Sequence, residues 1–390
     1  MPLKIALLTY STKPRGSVIH TLELAQALYE LGHNPNVFAL DKDGKGFHRH
    51  AEFETWAVPA EGCDGNTDHL IKQRICEFVR FFQQHAAQYD VYHAQDCLSA
   101  NALAQLRASG EIPHFVRTVH HIERFRSPYL QDCQEKSIYL PDRCCCVSTL
   151  WQQALKEDYG IDAHRVSNGV SRRFSLELDG SEAQLKQSLA ITGSPVYLTV
   201  GGIEPRKNSV RLLEAFALVR RQQPGAQLVI AGGATLFDYQ DYREQFMANS
   251  RRYGLGDSIV LPGVIADEQM PALYRLADGF VFPSVKEGWG LVVMEAIASG
   301  LPVVTSNQPP FTEFLNGESA HLVDPKNVGE IARAMIEMTT QSVADSAHRK
   351  VDARAQLLET HSWLSSAGHH LSLYQQLLPQ EICLSQKRDA

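Results

Sequence analysis

The sequence has no run of 18 apolar residues, so no membrane-spanning helix is expected. It also lacks an excess of positive charge. Its 37 Lys and Arg stand against 44 Asp and Glu, and the net charge of −7 argues against non-specific nucleic-acid binding. Eight cysteines are present without a CxxC pair. Cys144, Cys145 and Cys146 in DRCCCVST read as a buried strand, where cysteine behaves as a small apolar residue. Adjacent strand residues alternate faces and cannot converge on one ion. No internal repeat or low-complexity tract occurs. No G-x-G-x-x-G follows the first apolar run either: TYSTKPRGSVIH carries the single Gly16. That excludes the usual dinucleotide-binding turn, although Asp41 ends the second predicted strand where a ribose-binding acid would sit. The opening MPLKIALLTY is too short and too strand-like for a signal peptide, so the cytoplasm is the expected compartment.

What the sequence does have is an alternation of short apolar strands and amphipathic helices. KIALLTY, a helix over about 18–31 and NPNVFAL open a βαβ pattern, continued by VYHA, FVRTVH and CCCVS. A second series starts at VYLTV, followed by a helix over about 208–221 and by QLVIAG, SIVLPG, GFVFP and LPVVTS. With 390 residues, the pattern predicts two parallel-sheet α/β units. The polar segment 172–194, without strand pattern, is the expected boundary. Ligands of such sheets bind outside the carboxyl ends of the strands, and two facing sheets make an interdomain cleft.

The stretch KEGWGLVVMEAIASG places Glu287 and Glu295 around a Gly-Trp-Gly and an apolar run. Leu291 to Ser299 has helix formers with Leu291, Met294 and Ala298 spaced for one face, and Gly300 before Leu-Pro supplies a stop. Gly288 and Gly290 precede the helix, where its first-turn N–H groups attract anions. Glu287 beside such a helix start is electrostatically wasteful for stability alone. Glu295, mid-helix in an apolar run, calls for a hydroxyl-bearing partner. The plain alternative is a surface helix with two solvated acids.

The run from ADEQMPALYRLADGFVFPS through VKEGWGLVVMEAIASGLPVVTS to FTEFLNGESAHLVDP resembles the donor-domain signature of the retaining glycosyltransferases of family 4, with its E-x7-E motif. VGGIEPRKN, VSNGVS and HSWLSSAGHHLSLYQQLL extend the resemblance over nearly the whole chain, strongly after residue 196 and weakly before it. It implies an α/β GT-B fold: two facing Rossmann-like domains with an interdomain cleft and a C-terminal crossover helix. The N-terminal acceptor-side domain would span 1–185 with a returning helix at 362–380, and the nucleotide-sugar domain 186–361.

By resemblance, Glu287 meets the donor sugar, the N–H groups of Trp289, Gly290 and Leu291, after Gly288, approach sugar or phosphate, and Glu295 holds ribose hydroxyls. Arg206 and Lys207 in EPRKN follow a strand end and precede a helix. In the resembling enzymes an Arg and a Lys here neutralise the diphosphate, which can replace a divalent metal. This chain departs at Gly202, where many relatives carry the Arg, and Arg206 must supply the charge. His120 closes FVRTVH where the family often has a His on the donor sugar, while His121 would point elsewhere by strand alternation. Gly16 lies where relatives carry Gly-Gly near the phosphates, with Ser17 replacing the second glycine.

The implied activity is retaining, metal-independent transfer of a hexose-type unit from a UDP- or GDP-sugar to an acceptor hydroxyl, in polysaccharide or glycolipid assembly. No cofactor and no metal are expected. A nucleotide-sugar epimerase or phosphorylase on the same fold, and a nucleotide-sugar-binding subunit without turnover, are the alternatives. The expected partners are the nucleotide sugar and a saccharide or lipid-linked saccharide, with weak peripheral contact at the inner membrane face as a further expectation.

Asp41 and Asp43 form an Asp-x-Asp, but DKDGKG reads as a solvated, glycine-rich turn. Asn168 and Gly169 read as a turn. Residues 69–88 form an amphipathic helix with Ile75, Phe78, Val79 and Phe82 near one side and Lys72, Arg74 and Arg80 elsewhere. Core contact is expected there, with membrane-surface contact as the alternative. Arg124 and Arg126 are either ligands for an acceptor phosphate or solvated loop charges.

Overall fold

The computed structural model describes residues 1–85, 88–233, 239–340, 355 and 357–378. The chain divides into two compact units, Met1–Gly169 with His361–Ala390, and Val170–Thr360.

In the first unit seven strands form one parallel sheet. They are β1 Lys4–Thr9, β2 Asn34–Asp41, β3 Glu54–Pro59, β4 Val91–Ala94, β5 Val116–Val119, β6 Arg143–Cys146 and β7 His164–Arg165, in the order β3-β2-β1-β4-β5-β6-β7. Central strands are continuous apolar runs because helices cover both faces of such a sheet; Ile5 to Leu8 are fully buried. Cys144, Cys145 and Cys146 are buried in β6 and paired to β5, as their apolar reading predicts. Helix starts are written in the side chains: Asn66 accepts from His69 N, Ser148 from Trp151 N, and Asp96 and Ser99 form a capping box. Helix Trp363–Gln375, inside the expected 362–380, belongs to this unit; residues 379 and 380 lie outside the described ones.

Helix Thr67–Gln84 buries Ile75, Phe78 and Phe82 in the core of the unit, the core contact expected for residues 69–88; residues 86 and 87 lie outside the described ones. Arg74, expected off that face, is buried as well. Its charge is met one turn on by Glu77 at 2.6 Å, and its Nη2 donates to Glu61 O at 2.7 Å.

The second unit has six parallel strands: β8 Val196–Val200, β9 Gln227–Ala231, β10 Ile259–Gly263, β11 Gly279–Phe282, β12 Val303–Ser306 and β13 His321–Val323, in the order β10-β9-β8-β11-β12-β13. Leu213, Phe216, Leu228, Phe246, Val281, Ile331 and Met335 fill its core. The strand order reverses between β8 and β11, the topological switch point where open α/β sheets take ligands.

The division falls at 169/170 rather than at 185/186. Residues 170–185 join the second unit, where Arg173 makes a two-pronged ion pair with Asp267, and Asp179 and Glu182 both bind Arg275. A polar composition there marks ion pairing, not a linker.

Candidate functional site

Two loops flank the switch point of the second unit, and they are tied to each other. After β8 the chain turns through 201–208, and after β11 through 283–290. Ser284 Oγ and Val285 N both donate to Arg206 O, at 2.7 and 2.9 Å. Asn208, at φ +61, donates from Nδ2 to Pro283 O and Pro325 O, linking in the segment after β13. Arg206, Lys207 and Glu287, 80 residues apart in sequence, are thereby fixed beside one another at the carboxyl edge of the sheet.

Glu287 Oε1 accepts from Lys207 Nζ at 2.7 Å, Ser284 Oγ at 2.8 Å and Arg206 Nη1 at 3.1 Å. Its side chain is only 9% exposed. Burial pushes the carboxyl up, but the charges of Lys207 and Arg206 and the hydrogen bonds from Lys207 and Ser284 outweigh it and hold the group below its ordinary range. Lys207 Nζ also lies 4.3 Å over the Phe282 ring, a cation–π contact. Arg206 is the more accessible cation, 36% exposed against 12% for Lys207.

Glu287 leads into helix Leu291–Ala298, close to the expected span. Gly290 caps it at φ +112, where a Cβ would lie 2.6 Å from Phe311 Cε1, so glycine is required twice over. Gly288 is half-buried and Leu291 is the first helical residue. The Trp289 indole is buried, stacked on Phe314 at 4.7 Å, with Nε1 donating to Met294 Sδ. Trp289 therefore offers a ligand its backbone, together with Gly290 and Leu291 at the helix start, where N–H groups lack intrahelical acceptors. One turn in, Glu295 is buried, and its Oε2 accepts from the hydroxyl of fully buried Tyr274 at 2.7 Å. This is the hydroxyl-bearing partner that an acid in an apolar run calls for. Burial, together with the charge of the adjacent Glu295 carboxylate, pushes the Tyr274 phenol well above its usual range.

Gly202, the departure from the family pattern, has a steric reason. A Cβ there would lie 2.8 Å from both Glu204 Oε1 and Gly233 O. Arginine at 202 does not fit this loop; Arg206, beside Lys207, is the arginine that reaches Glu287.

His120 and Gly16 belong to the first unit. His120 follows β5 and its Nε2 donates to Gln95 Oε1 at 3.2 Å. Its ring meets His20 edge-on at 4.7 Å, and burial with the charges of His20 and Arg117 holds it well below the usual histidine range. His121 is exposed and pairs with Glu123 at 3.6 Å. Gly16 opens helix Gly16–Glu30 and is exposed, and a Cβ there would meet nothing within 4 Å.

The Asn168–Gly169 turn is more than a turn. Asn168 is buried and accepts from His20 Nδ1 at 2.9 Å, and a Cβ on Gly169 would fall 2.2 Å from Trp363 N. Glycine is kept there for the close approach of the returning helix. Asp41 is buried at the end of β2, with Oδ2 accepting from Gly46 N at 2.8 Å, and Asp43 pairs with Lys13 at 3.2 Å. Arg124 and Arg126 are exposed. Sequence reasoning missed Glu204, Ser284, Asn208 and Tyr274; only Ser284, a polar residue just past the apolar strand β11, carried a local signal.

Two family models match the chain in order: the Family 4 glycosyltransferase model over residues 14–174 and the group 1 glycosyl transferase model over residues 181–356. A mannosylfructose-phosphate synthase from Agrobacterium fabrum is 25% identical over 360 residues, 83% of this chain and 78% of that one. An uncharacterized glycosyltransferase from Methanocaldococcus jannaschii is 26% identical over 95% of this chain and 98% of its own. Among solved structures, Anabaena HepE in complex with UDP-glucose superposes with a TM-score of 0.79 at 20% identity, covering 96% of this chain and 100% of that one. The chain belongs to the glycosyltransferases of family 4 and has their two-domain, Rossmann-like GT-B fold.

Proposed function

We propose that this glycosyltransferase moves a hexose-type unit from a UDP- or GDP-sugar to an acceptor hydroxyl, with retention and without a metal, in polysaccharide or glycolipid assembly. The observation that carries the reading is the convergence of Arg206, Lys207 and Glu287 at the switch point of the second unit, beside the start of helix Leu291–Ala298. Two cations and a helix start are what a departing nucleoside diphosphate needs, because its charge develops where bulk water does not help.

In this reading Arg206 and Lys207 neutralise the diphosphate, with the N–H groups of Trp289, Gly290 and Leu291 beside them. Glu287 faces the sugar and favours positive charge developing on its ring. Glu295, oriented by Tyr274, holds the ribose hydroxyls. The acceptor hydroxyl attacks on the face the diphosphate leaves and gives its proton to the departing phosphate, so no covalent intermediate forms on the protein. His120 and Gly16 are assigned to this reaction on the family resemblance. The donor class is supported by the UDP-glucose bound to the HepE relative of the same fold.

A thermal-shift screen of UDP-, GDP- and ADP-sugars tests the donor, because a ligand that binds only the folded state raises the melting temperature. Nucleoside diphosphate release that depends on an added saccharide acceptor identifies transfer. Donor conversion without acceptor identifies an epimerase and overturns the reading.

A further inference from the structure

Glu204 is a buried carboxylate to which the reaction above gives no part. Its side chain is 4% exposed, and its Oε2 accepts from Arg206 Nε at 2.9 Å. The other edge of the same guanidinium donates from Nη1 to Glu287 Oε1 at 3.1 Å. Arg206 thus bridges two carboxylates. Glu204 is itself fixed. Its carboxylate fills the space before Gly202, where a Cβ would lie 2.8 Å from Oε1, and its carbonyl accepts from Lys207 N at 3.1 Å.

We propose that Glu204 is a positioning residue for the donor site: by holding Arg206 at Nε it fixes the plane of the guanidinium and aims its terminal nitrogens at the diphosphate. The proposal rests on the donor-site reading. A negative charge this close to an anion-receiving cation works against diphosphate affinity. The useful property of Glu204 is therefore its acceptor geometry, not its charge. Nε is a single donor in a rigid fork, and bonding it removes the torsional freedom of a long, partly exposed side chain.

Geometry and charge give opposite orders for two substitutions. Glu204→Gln keeps the length and an oxygen acceptor but loses the charge. Glu204→Asp keeps the charge but withdraws it by one methylene. We expect Glu204→Asp and Glu204→Ala to lower kcat/KM for the donor by about 10- to 100-fold, the scale of a small misplacement, with weaker inhibition by UDP or GDP. Glu204→Gln should recover activity to within about 3-fold. In an Arg206→Ala background, Glu204→Asp should cost nothing further, because the two act as one unit. Calorimetry with UDP and GDP alongside transfer kinetics supplies both readouts, and melting temperatures identify any variant that does not fold; the Asp and Gln pair suffices should Ala fail. An active Glu204→Asp with an impaired Glu204→Gln, equal losses in both backgrounds, or wild-type behaviour in all three variants would overturn the proposal. Failure of the donor-site reading looks different: Arg206→Ala alone would bind UDP and GDP as tightly as the wild type.

Discussion

Lys207 Nζ lies 2.7 Å from Glu287 Oε1, and the pair is half-buried at the carboxyl edge of the second sheet. A carboxylate that shares the ammonium proposed to neutralise a diphosphate sets up a competition. Replacing Glu287 by Gln ends it and also removes the charge that would favour a positive sugar ring. Turnover is expected to fall by about 10- to 1,000-fold, ~1.4 to 4 kcal/mol of barrier, while affinity for free UDP or GDP is kept or tightened. Transfer kinetics and calorimetry on the same protein check this. Wild-type turnover, or a loss confined to nucleotide affinity, removes Glu287 from the sugar.

Glu295 accepts from Tyr274 and is proposed to hold the ribose, so its removal should be felt through the nucleotide. Glu295→Ala is expected to weaken UDP or GDP binding by about 1 to 3 kcal/mol, with or without the sugar attached. Tyr274→Phe leaves the carboxylate one bond short and should lower stability by about 1 kcal/mol. Unchanged nucleotide affinity in a folded Glu295→Ala protein would refute the ribose role.

Transfer should persist in excess EDTA, since Arg206, Lys207 and the helix start supply the positive field. Asp41→Ala should leave turnover alone and cost about 1 kcal/mol of stability, because Asp41 organises the turn through Gly46 N. Loss of activity in EDTA restored by Mg²⁺ or Mn²⁺, or a large catalytic defect in Asp41→Ala, would contradict both statements.

The succession of most strands along the chain, the two units and the helix after Glu287 were legible because each is a local pattern: apolar runs between turn residues, then a glycine and a helix face. Strand β3 was not, since five of its six residues, Glu54 to Ala57 and Pro59, are exposed on a sheet edge and only Val58 is buried. β7, with two exposed residues, gives no apolar signal at all. The boundary was misplaced because Arg173 and Asp267 are 94 residues apart, and a charged segment reads the same whether its partner is water or a distant acid. The same limit governs the site. Two acids and two basic residues at strand ends were visible; that Glu287 takes both cations on one oxygen, and that Glu204 holds Arg206 from behind, depends on a sheet reversal that no local window contains.

Glycine 169 gives a test of the returning helix. A Cβ there would meet Trp363 N and Ser362 C at 2.2 and 2.6 Å, backbone atoms that cannot swing aside. Gly169→Ala should destabilise the first unit by about 1 to 3 kcal/mol, the cost of overfilling a close contact. Denaturant titration followed by far-UV circular dichroism measures it. An unchanged midpoint would show that helix Trp363–Gln375 does not approach Gly169 as described.

The first unit should lose stability as the pH falls from 7 to 5. Burial, with the charge of His370, depresses His20 to about 3 against the opposing hydrogen bond from Asn168. Burial depresses His370 to about 4 against its bond to Ser366 O. In the unfolded chain both titrate near the ordinary value of about 6.5. Between these limits the unfolded state binds more protons, so stability is fully present above about pH 6.5 and declines as pH drops, levelling only near the folded values. Each group contributes roughly 1.4 kcal/mol per pH unit inside the window. Ordinary carboxylates titrate near pH 4, so a decline between pH 6.5 and 5 belongs to the histidines. Urea midpoints at pH 7.5, 6.5, 5.8 and 5.0 should decrease monotonically below 6.5, and His370→Leu should flatten the slope by about one proton's worth. A midpoint constant over that range would mean that His20 and His370 keep their ordinary titration in the folded protein, and that water reaches the space between helices Gly16–Glu30 and Trp363–Gln375.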